Sequence, residues 1–563
     1  MNFIKHYSRI LFFFLGLVMV GVSCKKDVID DPQPQPALAP SITSIDPATA
    51  PVGSTIAVNG TNFDSAAVGT TVSIGGVSAT IVSITSTRIV VTVPTGAVAG
   101  PISVTTGGQT VQSTVSFTPS ATVPTPAGAK PVAEKQGTYF RNQSWSSDTV
   151  YVLRGKVYIP ENFTLTIAPG TIIKGAGPES DPSGTNQAGA LIIERRAQLI
   201  ARGTAAQPII FTSAKAAGGR NPGDWGGVVL IGKSPINRPR ATPYPNGIRN
   251  TIEAYGEPFD NSGALQYVRI EYAGAGRLAG LSMIGVGNAT TIDHVQVSYS
   301  ASDAFAWFGG SVNAKNLYAY RNADDDWTVD WGYVGNVQFG VALRNPATAD
   351  QSGSNGFEIE NFDTDQTTDV EAVVPINGYT QRVAVFSNMS NFAYSTTPTT
   401  TAGGASYGAG IYLRRNSTVS IYNSLVYGYP EGIHLESVAS ATGITNGITD
   451  LKGIVLANVL TPIVGGGATT TEQVTAYVSG AGRANVVIAS TDVASLLLNA
   501  NTFTLDTPNF VPQAGSPILA GAITGDKLTN AFFSPVTYRG AFGTENWLAG
   551  WTSVTPQTTA YDR

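Results

Sequence analysis

The sequence predicts an all-β chain: a small β-sandwich followed by a long right-handed parallel β-helix solenoid. Three observations carry this. Charged residues make up only 13% of the 563, while there are 62 Gly and 33 Pro and abundant Thr, Ser and Val, a composition that suits strands and tight turns better than long helices. The stretch 291–341 repeats on itself at a shift of 22: Val295 falls on Leu317, Asp303 on Asp325, Phe305 on Trp327 and Gly310 on Gly332. A third copy follows, with Leu317 on Phe339 and Ala319 on Val341. A fixed period of this size marks stacked repeats. Finally, apolar residues recur in pairs two apart, which puts both on one face of a strand.

At the N-terminus, Lys5, His6 and Arg9 precede an apolar run from 10 to 22. That run is too short for a comfortable membrane span and reads as a signal peptide over 1–23. Cys24, the only cysteine, follows Gly21-Val22-Ser23 and resembles the lipid-accepting cysteine of a bacterial lipobox, although Gly21 departs from the usual Leu or Val. With one cysteine no disulfide can staple the fold. Residues 24–39, with Asp30-Asp31 and alternating Pro and Gln, form an acidic, Pro-rich tether. The acidic run beside the cysteine resembles the surface-export signal of Bacteroidetes lipoproteins. These features imply an outer-membrane, lipid-anchored protein facing the cell surface. The formal net charge of −5 and the absence of a basic stripe exclude nucleic acid as a partner.

Residues 40–118 alternate over short segments (54–58, 71–74, 80–85, 88–93, 102–105, 113–117) separated by Gly75-Gly76, Pro94-Thr95-Gly96 and Gly107-Gly108. This is a small sandwich pattern. SITSIDPATAPVGSTIAVNGTNF, VSIGGVSATIVSITSTRIVVTVP and GPISVTTGGQT resemble a TIG/IPT domain, an immunoglobulin-like module, and the resemblance implies a spacer. Residues 119–136 form a Pro/Ala linker, and the solenoid runs from 137 to 563.

Within the solenoid two apolar columns emerge. The first holds Val268/Ile270, Val295/Val297, Leu317/Ala319, Phe339/Val341, Val383/Val385, Val419/Ile421 and Ile454/Leu456. The second holds Phe305/Trp307, Trp327/Val329, Phe357/Ile359, Ile411/Leu413 and Ile433/Leu435. A coil of 22 residues with several short strands is the size of one β-helix turn, stacked about 4.8 Å on the next. Phrases such as GALIIERRAQLIARGTAAQPIIFTSA, GDWGGVVLIGKSPIN and YRGAFGTENWLAGWT resemble the pectate-lyase-like β-helix lipoproteins of Bacteroidetes. That family carries no established catalytic residues, so the resemblance implies fold and location alone.

The acidic turn is the leading candidate for chemistry. Asp303 and Asp325 share one coil position, with Asn355 and Glu431 at the equivalent place later; Asp324, Asp326 and Asp330 add charge, as do Asp293 and, on the following loop, Asp350, Glu358, Asp363 and Asp365. Stacked carboxylates repel unless a cation joins them, and such an oxygen set suits calcium; as a plain turn ladder, Asp and Asn would instead cap local backbone N–H groups. Pectate lyases of this fold hold calcium with carboxylates and use an Arg base; Arg321 lies three residues before Asp324. His294 and His434 point outward in distant coils and make no zinc site. By strand parity Tyr318 and Tyr320 face out, with Trp331 and Tyr333 at nearby turns; such rings would stack on sugar faces. The expected function is a non-catalytic cell-envelope lipoprotein whose β-helix binds glycan or another surface component. The alternatives are a polysaccharide lyase or hydrolase, and an accessory subunit of an outer-membrane nutrient receptor.

Overall fold

The computed structural model describes residues 38–64, 69–120, 129–237, 248–249, 256–361, 383–396 and 405–562. The signal peptide, Cys24, most of the tether and the centre of the Pro/Ala linker lie outside the described residues. Residues 40–120 form the eight-stranded sandwich. Two of its hairpins, Thr71–Ile74 to Val77–Ile84 and Gly100–Thr106 to Gln109–Ser120, turn through the glycine pairs 75–76 and 107–108. All four glycines have positive φ, the conformation that two-residue hairpin turns of the primed type require. Its core gathers Ile56, Val58, Ile74, Ile89, Val91, Ile102, Val104 and Phe117.

The rest is a parallel β-helix whose coils stack into three ladders. The third ladder is the most regular. Val157, Leu191, Val228, Leu281, Phe305, Trp327, Phe357, Ile411, Ile433 and Ile463 stand one above another. The second sequence column lies wholly on this ladder. In the second ladder Ile173, Phe211, Ile270, Val297, Ala319, Ala342, Asn391, Val426 and Leu456 face inward. In the first, Ala201, Leu265, Ile292, Ala314, Val337, Phe386, Ile421 and Leu451 do. The inward rows form one continuous core. Each fully buried aliphatic or Phe side chain contributes on the order of 1.5–3 kcal/mol.

The first sequence column needs correction. Leu317 pairs with Gly340 and Ala319 with Ala342, so Phe339 and Val341 are off the core row. That coil is one residue longer, and a slip of one residue turns every side chain to the other face. The same slip puts Ala384 and Phe386 inside in place of Val383 and Val385. Val419 and Ile421 are inward but belong to the first ladder, beneath Ala384 and Phe386. From Tyr267 onward the coils turn between the first and second ladders through one left-handed residue: Tyr267, His294, Asn316, Phe339, Asn388, Asn423 and Gly453. Asn and Gly tolerate that conformation well, whereas the aromatic residues are held in it by their neighbours.

Three further features close the solenoid. Its first rung, Val132–Thr138, pairs with Val150–Ile159 and begins inside the stretch expected to be linker. The sandwich sits against that rung through Arg88 to Glu134 at 3.6 Å, with Glu134 held by Arg154 at 2.6 Å. At the far end helices α1 (Val438–Thr445) and α2 (Thr471–Val478) cover the core, α2 burying Val474 and Val478 behind a Thr470/Gln473 capping box.

After the last short strand, Val486–Ile488, the chain forms no further coils. It returns along the outside of the second ladder as a strap. Polar side chains clip its backbone at Asn423 with Ile523, Gln338 with Ser534, Asn388 with Tyr538 and Gln296 with Ser553. Lys130 finally donates its N–H to the carbonyl of Asp562 at 3.0 Å.

Candidate functional site

The acidic turn lies where coils pass from the second ladder to the third. Strand Asn313–Tyr320 ends, Arg321 takes a left-handed φ of 56°, and residues 322–326 lead into strand Trp327–Asp330. Asn322 holds the turn to the coil before it: its Oδ1 accepts the Ser300 N–H at 2.9 Å and its Nδ2 donates to the Val297 carbonyl at 3.3 Å.

Asp303, Asp324 and Asp325 converge there. One carboxylate oxygen from each lies within 4.8 Å of the other two. Asp303 and Asp324 are half-buried and Asp325 is buried. Asp325 Oδ1 accepts the Asn355 N–H at 2.5 Å, so Asn355 continues the ladder as an amide. Asn355 Oδ1 in turn accepts the Ala409 N–H at 2.8 Å. Glu431 is not part of the group: Ala409 intervenes, and Glu431 pairs with His434 at 2.7 Å.

Burial and the neighbouring carboxylates push all three acids up. For Asp325 the neighbours are Glu358, Asp324 and Asp303; for Asp303 they are Asp324 and Glu358. Both carboxyls rise well above the ordinary range. Asp324 is lifted to about 7 by burial, Asp350 and Glu358, against an opposing pull from Arg344. The Thr328 hydroxyl, buried on the neighbouring strand and paired across the ladder with Glu358, bonds to the Asp303 carboxyl and partly opposes its rise.

Asp326 and Asp330, expected in the same group, are elsewhere. Asp326 faces the other way, into a sealed ion pair with Arg344 at 2.9 Å, both side chains 0% exposed. Arg344 also donates to the carbonyls of Asp324, Asn355, Ala323 and Asn322, so it pins the turn. Asp330 closes the opposite end of its strand, where Oδ1 accepts the Trp331 N–H at 2.6 Å. Arg321 lies over the rings of Tyr299 and Tyr320 at 5.1 and 5.9 Å. Glu358, expected on a loop, stands on strand Phe357–Ile359 and meets Arg414 at 2.7 Å. Asp363 and Asp365 lie outside the described residues.

The four rings expected to stack on sugar are all buried. Tyr318 and Tyr320 do face outward, but the strap covers them with Leu496, Phe510, Phe542, Leu548 and Trp551. Trp331 packs at 4.8 Å on Phe308, beside Ile248 of the long insertion after residue 232. Tyr333 is inside the solenoid, donating to the Val312 carbonyl at 2.6 Å and lying 5.7 Å from Trp307. Glycan stacking on these faces is therefore corrected. Parity gives the side of a strand, while the cover comes from residues far along the chain.

The pectate-lyase like beta helix domain model matches residues 137–495, well over half the chain. The chain belongs to that family. The IPT/TIG domain model matches residues 40–119. The two boundaries agree with the sandwich and with the coiled part of the β-helix, and the strap lies beyond the second. No curated protein matches the chain. Among solved structures, an auxiliary nutrient binding protein from Bacteroides thetaiotaomicron VPI-5482 is 22% identical, over 15% of this chain and 22% of its own, with a TM-score of 0.15. One from Bacteroides ovatus ATCC 8483 is 20% identical over the same shares, also at 0.15. A third Bacteroides thetaiotaomicron VPI-5482 protein, provisionally described as a phosphatase, is 26% identical over 15% of this chain and 19% of its own, at 0.15. The matched stretch thus spans about a fifth of each of these chains.

Proposed function

We propose that this β-helix is a non-catalytic, glycan-binding module of a cell-envelope lipoprotein, attached through Cys24 and facing the cell surface, with calcium at the acidic turn. One observation carries the non-catalytic part. Among the described residues, the two arginines nearest the carboxylates of the turn are both committed to ion pairs. Arg344 is sealed against Asp326, and Arg414 is bound to Glu358 and Glu360. A lyase needs a group that can take a proton from the sugar. A hydrolase needs two carboxyls ~5–5.5 Å apart or ~6.5–9.5 Å apart, both reaching the bond to be cleaved. Here Asp325 is buried and its Oδ1 is taken by the Asn355 N–H.

Calcium fits the donors. Asp303, Asp324 and Asp325 offer three hard oxygens close enough to share one ion, and calcium accepts such oxygens in loose geometry and fills its remaining positions with water. A divalent cation also relieves the repulsion that lifts these carboxyls. No helix among the described residues is long and apolar enough to cross a membrane.

Two measurements test this. Calcium added to EDTA-stripped protein is expected to raise the melting temperature, by the equivalent of ~2.7 kcal/mol at a hundredfold excess over Kd; Asp325→Asn is expected to abolish the rise. A glycan screen is expected to give binding without sugar cleavage or unsaturated uronide products. No calcium response removes the metal, and released products overturn the non-catalytic reading.

A further inference from the structure

A second feature lies between the edge of the second ladder and the strap. Tyr272, Tyr299 and Arg321 occupy the same corner of three successive coils, all with positive φ of 56–62°. Beside this column is an open cleft of about 410 Å³. That volume lies within the ~300–1,000 Å³ of small-molecule sites. The charged groups in its lining are two arginines, Arg220 and Arg321, and one acid, Asp506 of the strap.

Among the described residues neither guanidinium has a carboxylate within ion-pair distance. Arg321 lies over the rings of Tyr299 and Tyr320, 5.1 and 5.9 Å from their centres, and these rings fix its plane. Its Nε is sealed from solvent; its two terminal nitrogens are not, and the side chain they meet is a neutral phenol, that of Tyr320. Arg220 is 2% exposed. Its Nε donates to the Lys215 carbonyl at 3.2 Å and its Nη1 to the carbonyls of Pro556 and of Thr559, the latter at 2.9 Å. Carbonyls satisfy those donors and leave the charge in place. A charge held out of water is costly unless an opposite one stands beside it.

The acids nearby do not balance the two arginines. Glu271 feels Arg220, but it is held by Arg269 at 3.4 Å and by the Tyr561 hydroxyl at 2.9 Å. Asp506 is the acid that acts most on Arg321, ahead of Asp324 and Asp350 of the acidic turn; it is exposed, so water and salt screen it. Lys174 and Asp562, further along, cancel each other. Arg220, Arg269 and Arg321 against Glu271 and Asp506 leave one positive charge at the cleft, in a chain whose net charge is −5. We infer that this cleft binds a small oxyanion, the sulfate, phosphate or carboxylate group of a soluble ligand. Arg321 holds it through its terminal nitrogens, whose paired N–H donors match such groups, and Arg220 supplies charge from behind. The hydroxyls of Thr555 and Thr558 line the strap wall and suit the polar body of such a ligand.

This site goes beyond the glycan reading and stands or falls without it. The test is isothermal titration of the full chain with inorganic sulfate, inorganic phosphate and gluconate, and with glucose as the uncharged control. At least one of the anions is expected to bind saturably at a single site, and glucose is not. Arg321→Gln keeps a polar side chain and removes the charge; it is expected to weaken binding at least tenfold at an unchanged melting temperature. Asp506→Asn removes the opposing charge from an exposed position and is expected to tighten binding about threefold, a gain that a purely structural cleft would not show. Either change places the anion in the cleft, and Asp506→Asn alone decides if Arg321→Gln does not fold. Binding of sulfate or phosphate marks a tetrahedral group, and binding of gluconate alone marks a carboxylate. If no anion binds, if glucose binds as well as the anions, or if both variants match wild type, the anion site is overturned.

Discussion

Arg344→Met is the sharpest perturbation of the acidic turn. The guanidinium is 0% exposed and makes five contacts: Asp326 Oδ2 at 2.9 Å and the carbonyls of Asp324 at 2.5, Asn355 at 3.0, Ala323 at 3.3 and Asn322 at 3.4 Å. Methionine fills much of the volume but supplies no donor. A buried carboxylate is then left alone, which costs ~3–5 kcal/mol. In Arg344→Met/Asp326→Leu the orphaned charge is gone and only carbonyls remain unmet, costing ~1–3 kcal/mol. The double variant is therefore expected to be more stable than the single one, by ~2 kcal/mol. Coils interact mainly with their neighbours, so the loss should appear locally rather than across the chain. The assay is amide hydrogen exchange followed by mass spectrometry, on peptides covering 322–326 and 345–355. At ~1.4 kcal/mol per tenfold, Arg344→Met should speed exchange there by two to three orders of magnitude, and the double variant by one to two. Equal acceleration in both variants, or none in Arg344→Met, would refute the role of the ion pair.

Three further outcomes follow from the geometry. Lys135 is buried beneath Tyr139, Trp145 and Tyr151, 5.3–5.6 Å from each ring, and burial, aided by Arg141, pulls its ammonium down to about 8. The unfolded chain, near 10.4, binds more protons between those values, so wild type should gain up to ~3 kcal/mol as pH rises from about 8 toward 10 and stay level below 8; Lys135→Met should lack that gain in paired melting curves. Asn391→Ala removes the acceptor of the buried Trp327 indole N–H (2.8 Å) and should cost ~1–3 kcal/mol in urea unfolding; no loss would mean that another group takes the proton. Deleting residues 497–563 should uncover Tyr318, Tyr320, Val341 and Leu343, giving strong binding of an apolar dye where the full chain gives little.

What was legible in the sequence follows from how a solenoid stores its information. The third ladder could be read from Phe305/Trp307 down to Ile433/Leu435 because each strand carries its own alternating pair. The other two ladders share a coil with a corner residue, and one added residue before Gly340 moved Phe339 and Val341 off the core row. The same limit governs the site. Asp303 and Asp325 are one period apart, so their stacking was visible; Arg344 is not, because it lies past the end of a strand, where alternation stops specifying direction.

The strap is the extreme case. Phe510, Phe542 and Trp551 cover rings some two hundred residues earlier and repeat with no period, so nothing local announces that Tyr318 and Tyr320 are buried. Yet the clips were within reach. Gln338, Asn388 and Asn423 sit at or next to the left-handed corners and Gln296 lies two residues past one, and each spends its amide on strap backbone. An outward row of Asn and Gln at one corner of successive coils is costly to leave unpaired beside an apolar face. Such a row beside outward Tyr, Val and Leu signals that another part of the chain must cover that side. Where the cover is incomplete a cleft remains, lined by Tyr272, Tyr299 and Arg321 of the solenoid and by Asp506 and Thr555 of the strap.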